Sequence, residues 1–360
     1  MQNAMNTIPT IFNEKITPYT AVGGRERAAS TGISAIVLAC PGFQRRSFFH
    51  ELEKTGFDNV ISIESHSPNY GIEELSERFP FVRFVLPKKE LTIGEQINLG
   101  ASEIESPLFF VLRSDLKIIA GGTAARMAER LVISQEEAAF VQEINDIESK
   151  PGFKRLCTVP LIMNSRYESL PTIVAPMTHR RKIRTVFMDP NFEGAPSLYP
   201  FYGIGIYDRK RFMETGGFDT TLKNTHWQFM DFGFRAHLWG EEISLSLHLK
   251  LLCEMEMPSE NYTIENSYRR FYLKNFSPVF RGDHAHLPLY RFPSFLMKSG
   301  DDFFATWNEF NEGRNWVKTN RFRWKCGPHD VTKKWGPSGA NGIKPPLPSQ
   351  NNNPDIEQEN

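Results

Sequence analysis

The residues of this sequence that could do chemistry stand where its apolar runs end. Arg113 and Asp115 come directly after the run PLFFVL, Glu64 follows VISI, and Ala39 closes ISAIVLA. A carboxylate can bind a divalent cation through hard oxygen atoms, and an arginine can bind a phosphate through two parallel hydrogen bonds. Taken singly, each of these residues is equally well an ordinary cap or loop residue. Together they indicate a ligand site.

The apolar runs predict the elements that would bring these residues together. β-Branched runs predict strands at 33–39, 59–65, 82–86 and 108–112, with helices at 45–57, 72–79 and 92–105 between them. Such alternation is typical of βαβ units and a parallel sheet. In an open parallel sheet, ligands bind outside the carboxyl ends of the strands. The alternation ends after residue 133, and residues 150–202 predict loops and a mixed or antiparallel part of the sheet.

The composition excludes several classes of protein. Lys and Arg together number 42, as do Asp and Glu, so the 360-residue chain has no basic field for nucleic acid. No apolar run reaches the ~18 residues of a membrane-spanning helix, and the N-terminus lacks the pattern of a signal peptide. The four cysteines are far apart and form no CxxC, which is typical of thiols in a reducing compartment. We therefore expect a cytoplasmic protein, with the inner face of a membrane as an alternative.

Five stretches occur in an order that is similar to a known family. They are AIVLACPGFQRR, VISIESHSPN, IGEQINLGASEIESPLFFVLRSD, YGIGIYDRKRFMETGGFD and HWQFMDFGFRAHLWG. Over residues 33–255 the chain resembles the family 2 glycosyltransferases of the GT-A fold, and the GGFD followed by Trp, Asp, Arg and Gly is the most specific part. The resemblance implies an α/β fold with a Rossmann-like, mostly parallel sheet flanked by helices and a mixed portion on the acceptor side.

The resemblance also implies a site for a nucleotide-sugar donor. Its predicted residues are Ala39, Glu64, Asn98, Arg113 and Asp115. Glu64 falls where an acid contacts the nucleoside, and Asp115 matches the last aspartate of the metal motif. The implied cofactor is a divalent metal ion, Mn²⁺ or Mg²⁺, which offsets the charge of the diphosphate leaving group. His284 is a candidate to complete the metal ligands, with His286 and His248 as alternatives.

On the acceptor side, the resemblance assigns three residues. Asp231 falls on the position of the general base, although Met230 replaces the first acid of the usual pair. Trp227 lies where an aromatic ring can stack on a sugar face, and Gly217 lets the chain turn close to the acceptor. A single base without a second nucleophile favours direct in-line displacement, which inverts the anomeric carbon.

Arg113 is the clearest departure from the family pattern, because it replaces the first aspartate of the metal motif and cannot ligate a metal. Three interpretations stay open. Asp115 could bind a metal together with the diphosphate while Arg113 turns outward. Arg113 could contact the diphosphate itself and reduce the need for a metal. Alternatively, the two residues could form a structural ion pair in a site that has lost catalysis.

The predicted organisation is an N-terminal extension (1–30), a GT-A glycosyltransferase domain (31–290), an aromatic and basic helical segment (291–335) and a disordered tail (336–360). The leading hypothesis is a glycosyltransferase that moves a sugar to a hydroxyl of a glycan, a lipid carrier or a protein. Its partners would be a nucleotide sugar and that acceptor, with peripheral membrane association as an option and no nucleic acid. The alternatives are a non-catalytic GT-A-like module that binds a nucleotide sugar or a partner, and a nucleotidyltransferase, for which the loop ACPGFQRR is a poor match.

Overall fold

The computed structural model describes residues 17–24, 31–40, 45–64, 71–120, 122–131, 154–179, 182–253 and 266–335. The strands are β1 (Tyr19–Gly23), β2 (Ile33–Leu38), β3 (Val60–Ile63), β4 (Val82–Pro87), β5 (Leu108–Arg113), β6 (Leu116–Ala120), β7 (Lys154–Met163), β8 (Ile173–His179), β9 (Lys182–Met188), β10 (Gly205–Asp208), β11 (Glu241–Cys253), β12 (Val279–Arg281) and β13 (His284–His286). The helices are α1 (Arg45–Thr55), α2 (Ile72–Arg78), α3 (Ile93–Ser102), α4 (124–131), α5 (Arg209–Thr215), α6 (Thr225–Leu238), α7 (Asn266–Phe271), α8 (Phe292–Ser299), α9 (Phe303–Thr319) and α10 (Pro328–Lys333).

Nine of the described strands form one sheet in the order β1-β4-β3-β2-β5-β10-β7-β11-β6. Strands β2, β3, β4, β5, β7 and β11 run in one direction, and β1, β10 and β6 run against them. Parallel neighbours need a crossover, and α1, α2 and α3 supply it. The predicted α/β fold with a mostly parallel sheet is confirmed, and β10 between β5 and β7 makes the expected mixed portion.

Alternating side chains of the central strands fill the core on both faces of the sheet. In β2, Ile33, Ala35 and Val37 belong to one buried cluster, whereas Ile36 and Leu38 belong to the other. Because successive strand residues point to opposite faces, a strand that is apolar throughout must be covered on both sides. This explains why β2 reads as a continuous apolar run.

Two segments near the ends of the described chain pack into this fold. β1 pairs antiparallel with β4, so Tyr19–Gly23, within the predicted N-terminal extension, form an edge strand of the sheet. In the predicted C-terminal segment, Phe310, Trp316 and Trp324 share a buried cluster with residues of the central strands. The predicted tail at 336–360 lies outside the described residues. None of the described helices is both long and apolar enough to cross a membrane.

Candidate functional site

Hydrogen bonds join the carboxyl ends of β2, β3 and β5. The Ala39 amide donates to the Ile63 carbonyl at 3.1 Å, and the Cys40 amide donates to Ser114 Oγ at 2.9 Å. The Ser114 amide returns a bond of 3.1 Å to the Leu38 carbonyl. The structure therefore places the predicted donor residues Ala39, Glu64, Arg113 and Asp115 along one edge of the sheet, where the sequence predicted a ligand site.

At this edge Arg113 turns onto Asp115. Its Nε atom lies 3.0 Å from Oδ1 of Asp115 and its Nη2 atom lies 2.7 Å from Oδ2, a bidentate pair. The Asp115 side chain is fully buried, and the Arg113 guanidinium lies 5.4 Å from the centre of the Tyr202 ring. Metal binding by Asp115 would require Arg113 to turn outward, and in this structure it turns inward, onto Asp115. Ring and carboxylate together hold the guanidinium in one place.

Cys40 completes this cluster. Its Sγ atom lies 3.4 Å from Oδ1 of Asp115. Burial raises the pKa of the Cys40 thiol, and the neighbouring Asp115 adds to this effect, although Arg113 acts in the opposite direction. The thiol is therefore held in its neutral form, in which sulfur can donate to the carboxylate.

The side chains in their present arrangement do not fit a divalent metal ion at Asp115. Both oxygen atoms of Asp115 accept hydrogen bonds from Arg113, and the residues that the structure describes contain no group of three His, Cys, Asp or Glu placed to hold a metal. The candidate ligand His284 lies on the hairpin formed by β12 and β13, where it pairs with Asp283 at 2.7 Å. Its ring faces Phe322, with the centroids 6.4 Å apart, and none of its described contacts reaches Asp115.

Glu64 stands at the end of β3 and is also paired. It is buried and forms an ion pair with Arg45 of α1, while Ser62 Oγ donates to its Oε1 atom at 2.8 Å. The Arg45 guanidinium lies over the rings of Phe49 and Phe84, at 5.5 and 5.6 Å. Glu64 is therefore at the predicted edge, with its charge compensated from within the protein. Contact with a nucleoside stays a prediction.

Asn98 lies on α3, and its contacts are with a loop. Its Nδ2 atom donates to the Phe218 carbonyl at 2.7 Å, and its Oδ1 atom accepts from the Phe218 amide at 2.9 Å. This two-point contact fixes the GGFD loop on α3. The helix itself is well defined, because Thr92 and Glu95 form a capping box at its start. The structure thus gives Asn98 a structural contact, and its role in donor binding stays a prediction.

Asp231 lies in a buried network of charges. Its Oδ1 atom accepts from Lys274 Nζ and from Asn275 Nδ2, both at 2.7 Å, and its Oδ2 atom lies 3.2 Å from Arg235 Nη2. Lys274 and Asn275 are on a π-helical turn, Tyr272–Phe276, that continues α7. The side chains of Asp231, Arg235 and Lys274 are 0–1 % exposed, so no part of the carboxylate faces solvent.

The same lysine holds Asp219 of the GGFD loop. Lys274 Nζ lies 2.7 Å from Oδ2 of Asp219, and the Thr221 hydroxyl donates to Oδ1 at 2.7 Å. Burial raises the pKa of the Asp219 carboxyl, but the Lys274 charge and the Thr221 hydrogen bonds outweigh it, so the pKa lies below its usual value. The sequence analysis assigned no role to Asp219, Lys274 or Asn275. Asp219 belongs to the GGFD motif, whereas the only sequence signal for Lys274 and Asn275 was their place amid the aromatic residues of FYLKNF.

The two acceptor-side residues are also part of the interior. Trp227 is buried, and its ring packs on Tyr268 and Phe271 with centroids 4.7 and 5.6 Å apart. Gly217 has φ +63°, a conformation that favours glycine, and its carbonyl accepts from Arg235 Nη2 at 2.6 Å. As arranged, Trp227 presents no ring face to a sugar, and Gly217 serves a tight turn.

A separate cavity of about 470 Å³ lies in the helical layer, away from the strand ends. It is lined by residues of α5 and α9, by Gly216 after α5, by Trp239 at the end of α6, and by Asn320 and Arg323 after α9. The rings of Trp239 and Trp316 stack with their centroids 6.2 Å apart. None of the predicted donor residues at the strand ends lines this cavity.

Two solved structures are similar to this chain. The first, GalNAc-T7 with UDP, GalNAc and Mn²⁺, is 13 % identical with a TM-score of 0.50, and the match covers 84 % of this chain and 56 % of that chain. The second, the mannosyltransferase PcManGT from Pyrobaculum calidifontis with GDP-Man and Mn²⁺, is 8 % identical with a TM-score of 0.38, and the match covers 85 % and 79 %. No family model and no curated protein matches the sequence. The first likeness shows the fold alone: the chain has the GT-A fold expected from its sequence, and it spans about half of the GalNAc-T7 chain.

Proposed function

We propose that this chain is a glycosyltransferase that binds a nucleoside-diphosphate sugar at the carboxyl ends of β2, β3 and β5. The observation that carries the proposal is the arrangement of this edge, where hydrogen bonds join the strand ends and both Arg113 and Glu64 lie beside them. In open α/β sheets such an edge is the place where nucleotides bind. The GT-A fold, and the UDP held by GalNAc-T7, support the same class of donor. The acceptor would be a hydroxyl of a glycan, a lipid carrier or a protein.

In this proposal Arg113 offsets the charge of the diphosphate. Departure of the nucleoside diphosphate builds negative charge on phosphate oxygen atoms, which a positioned cation stabilises. Asp115 and the Tyr202 ring hold the guanidinium in place before the ligand arrives. A guanidinium carries its N–H donors in a fixed fork that suits two-point contact with a phosphate. Donor binding by this route needs no resident metal ion, which agrees with the occupied oxygen atoms of Asp115.

Inverting in-line displacement also needs a base that takes the proton of the acceptor hydroxyl. Asp231 is the candidate from the sequence, but Lys274 and Asn275 both donate to its Oδ1 atom. A base role for Asp231 therefore requires the turn Tyr272–Phe276 to move away from it.

The second candidate function is a non-catalytic GT-A module that binds a nucleotide sugar or a partner protein. One observation favours it: Glu64, Asp115 and Asp231, the three carboxylates that the family pattern would use, each form an ion pair with a basic side chain of this chain. We expect such pairing in a site that binds a ligand but does not transfer protons.

The first experiment is calorimetric titration of the full chain with UDP, GDP and their sugar conjugates, in Mn²⁺ and in EDTA. We expect one nucleotide class to bind in EDTA, and Arg113→Ala to weaken that binding by about ten-fold or more, since a charge-assisted contact to phosphate contributes about 1.5–3 kcal/mol. Arg314→Ala, which removes an exposed arginine of α9, is the matched control and should leave the affinity unchanged.

The outcomes separate the two functions. Binding together with release of the nucleoside diphosphate in the presence of hydroxyl acceptors supports the transferase. Binding without any turnover supports the non-catalytic module. Failure of all nucleotides to bind in both conditions contradicts the transferase and leaves only a module that binds a partner protein.

A further inference from the structure

Exposed apolar side chains concentrate in one short part of the described chain. Among the described residues, ten large apolar ones are exposed, and six of these lie between residues 289 and 307. These six, which we name the α8–α9 patch, are Leu289, Tyr290, Met297, Phe303, Phe304 and Trp307. Scattered exposed apolar residues are normal on a soluble protein, but a contiguous group marks a binding surface.

The patch stands on a rigid base. Helices α8 and α9 form a hairpin that turns at Gly300, where φ is +70°. Phe292 of α8 is buried and packs against Phe303 and Trp307 of α9, with ring centroids 5.7 and 4.8 Å apart. The rings of Phe303 and Trp307 stack at 6.4 Å. The exposed rings are therefore fixed by a buried anchor and do not belong to a loose segment.

The outermost side chains protrude. Met297 is 87 % exposed, Phe304 75 % and Tyr290 72 %. Each of these side chains therefore projects from the surface and does not lie in a groove. Protein interfaces bury their anchoring residues in complementary pockets. A bilayer interface needs no pocket, and it accepts Trp, Tyr, Phe and Met side chains at the level of the headgroups.

The charges beside the patch complement an anionic surface. Of the two carboxylates of the turn, Asp301 pairs with Arg269 at 2.5 Å, whereas Asp302 is exposed, keeps its charge and caps α9 by accepting from the Ala305 amide at 3.0 Å. The two basic side chains that follow outnumber this one carboxylate. Lys298, which is exposed beside Met297, and Arg291, at the start of α8, form no ion pair with any carboxylate in the described part of the chain. Their charges are therefore directed at what lies outside.

We propose that the α8–α9 patch docks the protein on the surface of an anionic bilayer. The aromatic rings and Met297 enter the boundary between headgroups and acyl chains, while Lys298 and Arg291 contact lipid phosphates. The proposal rests on the patch alone and does not depend on glycosyl transfer.

The test is co-sedimentation of the full chain with vesicles of phosphatidylcholine alone and of phosphatidylcholine mixed with phosphatidylglycerol. We expect binding to the mixed vesicles, and the double variant Met297→Ser with Phe304→Ser should bind about ten-fold more weakly, because two inserted side chains are lost. Phe322→Ser is the matched control, since Phe322 is 60 % exposed but lies outside the patch, and it should bind as the wild type does. Lys298→Glu should weaken binding to the mixed vesicles and should leave any binding to phosphatidylcholine alone unchanged.

Several results would overturn this proposal. Absence of binding by the wild type to either vesicle is one, and equal binding by the double variant is another. Light scattering that shows a dimer of the wild type and a monomer of the double variant would assign the patch to a second copy of the chain. The substituted side chains are exposed, and an unchanged circular dichroism spectrum confirms that the variants fold.

Discussion

Lys274 pairs with two buried carboxylates in the described part of the chain. Its ammonium group lies 2.7 Å from the carboxylates of both Asp219 and Asp231, and its Nζ atom lies 4.9 Å from the centre of the Trp316 ring. Taking an ion out of water costs several kcal/mol unless a partner compensates it. One lysine here compensates two carboxylates that belong to different elements. Removing Lys274 should therefore destabilise the folded protein by more than the loss of one hydrogen bond does.

We predict that Lys274→Met lowers the free energy of unfolding by about 3–5 kcal/mol at neutral pH, since it leaves the buried Asp219 without its cation and removes one of the two cations that pair with Asp231. In the wild type, the lowered pKa of Asp219 adds stability above the unfolded-state value, and that stability is lost as the pH falls through the folded-state value. Without Lys274, burial raises the same pKa, so the variant loses stability as the pH rises. Urea denaturation should thus show a smaller deficit near pH 4 than at about pH 7.

Two comparisons test the cause of this effect. Lys333→Met, at an exposed lysine of α10, should change stability by less than about 0.5 kcal/mol. The double variant Lys274→Met with Asp219→Asn should recover part of the loss, because it removes the carboxylate that loses its cation. A deficit that does not vary with pH would contradict the electrostatic explanation.

Among the elements, helix α3 and the GGFD loop form the junction between the strand-end edge and the helical layer. Asn98 of α3 satisfies both the amide and the carbonyl group of Phe218, although 120 residues separate them. The loop also carries Asp219, and through it the contact with Lys274. Movement of this loop would therefore reach both the strand ends and the charge network.

For this junction we predict that Asn98→Ala lowers the free energy of unfolding by about 2–4 kcal/mol, because it leaves two buried backbone groups without partners. Hydrogen exchange should show faster exchange at the Phe218 amide, which loses its acceptor. Ser102→Ala, on the same helix, removes a bond that stays within the last turn and should cost less than about 1 kcal/mol. Unchanged exchange at Phe218 would show that Asn98 does not hold the loop.

At the scale of the whole molecule, the sheet and the C-terminal helices share one buried cluster. That cluster contains Ile36 and Val111 of the central strands together with Trp316, Trp324 and Val331. A core that is continuous in this way should unfold cooperatively, because neither part buries its apolar surface alone.

We therefore expect a single unfolding transition for the chain. All six tryptophans lie between residues 227 and 335, so fluorescence reports on the second half of the chain, whereas far-ultraviolet circular dichroism reports on all of its helices and strands. The two signals should give the same midpoint in urea. Separate midpoints would mean that the C-terminal helices form a unit of their own.

The sequence was informative where local pattern determines structure. The apolar β-branched runs at 33–39 and 108–112 predicted two neighbouring strands of the sheet and their shared edge, because a strand covered on both faces must be apolar throughout. β1 was not predicted, since YTAVG is short and half-exposed and gains its place only by pairing with β4. The partners of Asp231 were beyond local pattern, because Lys274 lies 43 residues away in sequence. Trp227 shows the same limit: an aromatic residue near a predicted site has the same sequence pattern as one that packs in the core.

The ion pairs at the strand-end edge have a kinetic consequence. Arg113 with Asp115, and Arg45 with Glu64, make this edge electrically neutral in sum, and the chain as a whole carries a formal net charge of zero. An anionic ligand that approaches such a surface is not drawn in from a distance, since steering requires a net potential. Its rate of association would then reflect ordinary diffusion and change little with ionic strength. Selectivity would then depend on how slowly the ligand dissociates, which is set by the contacts it makes once bound.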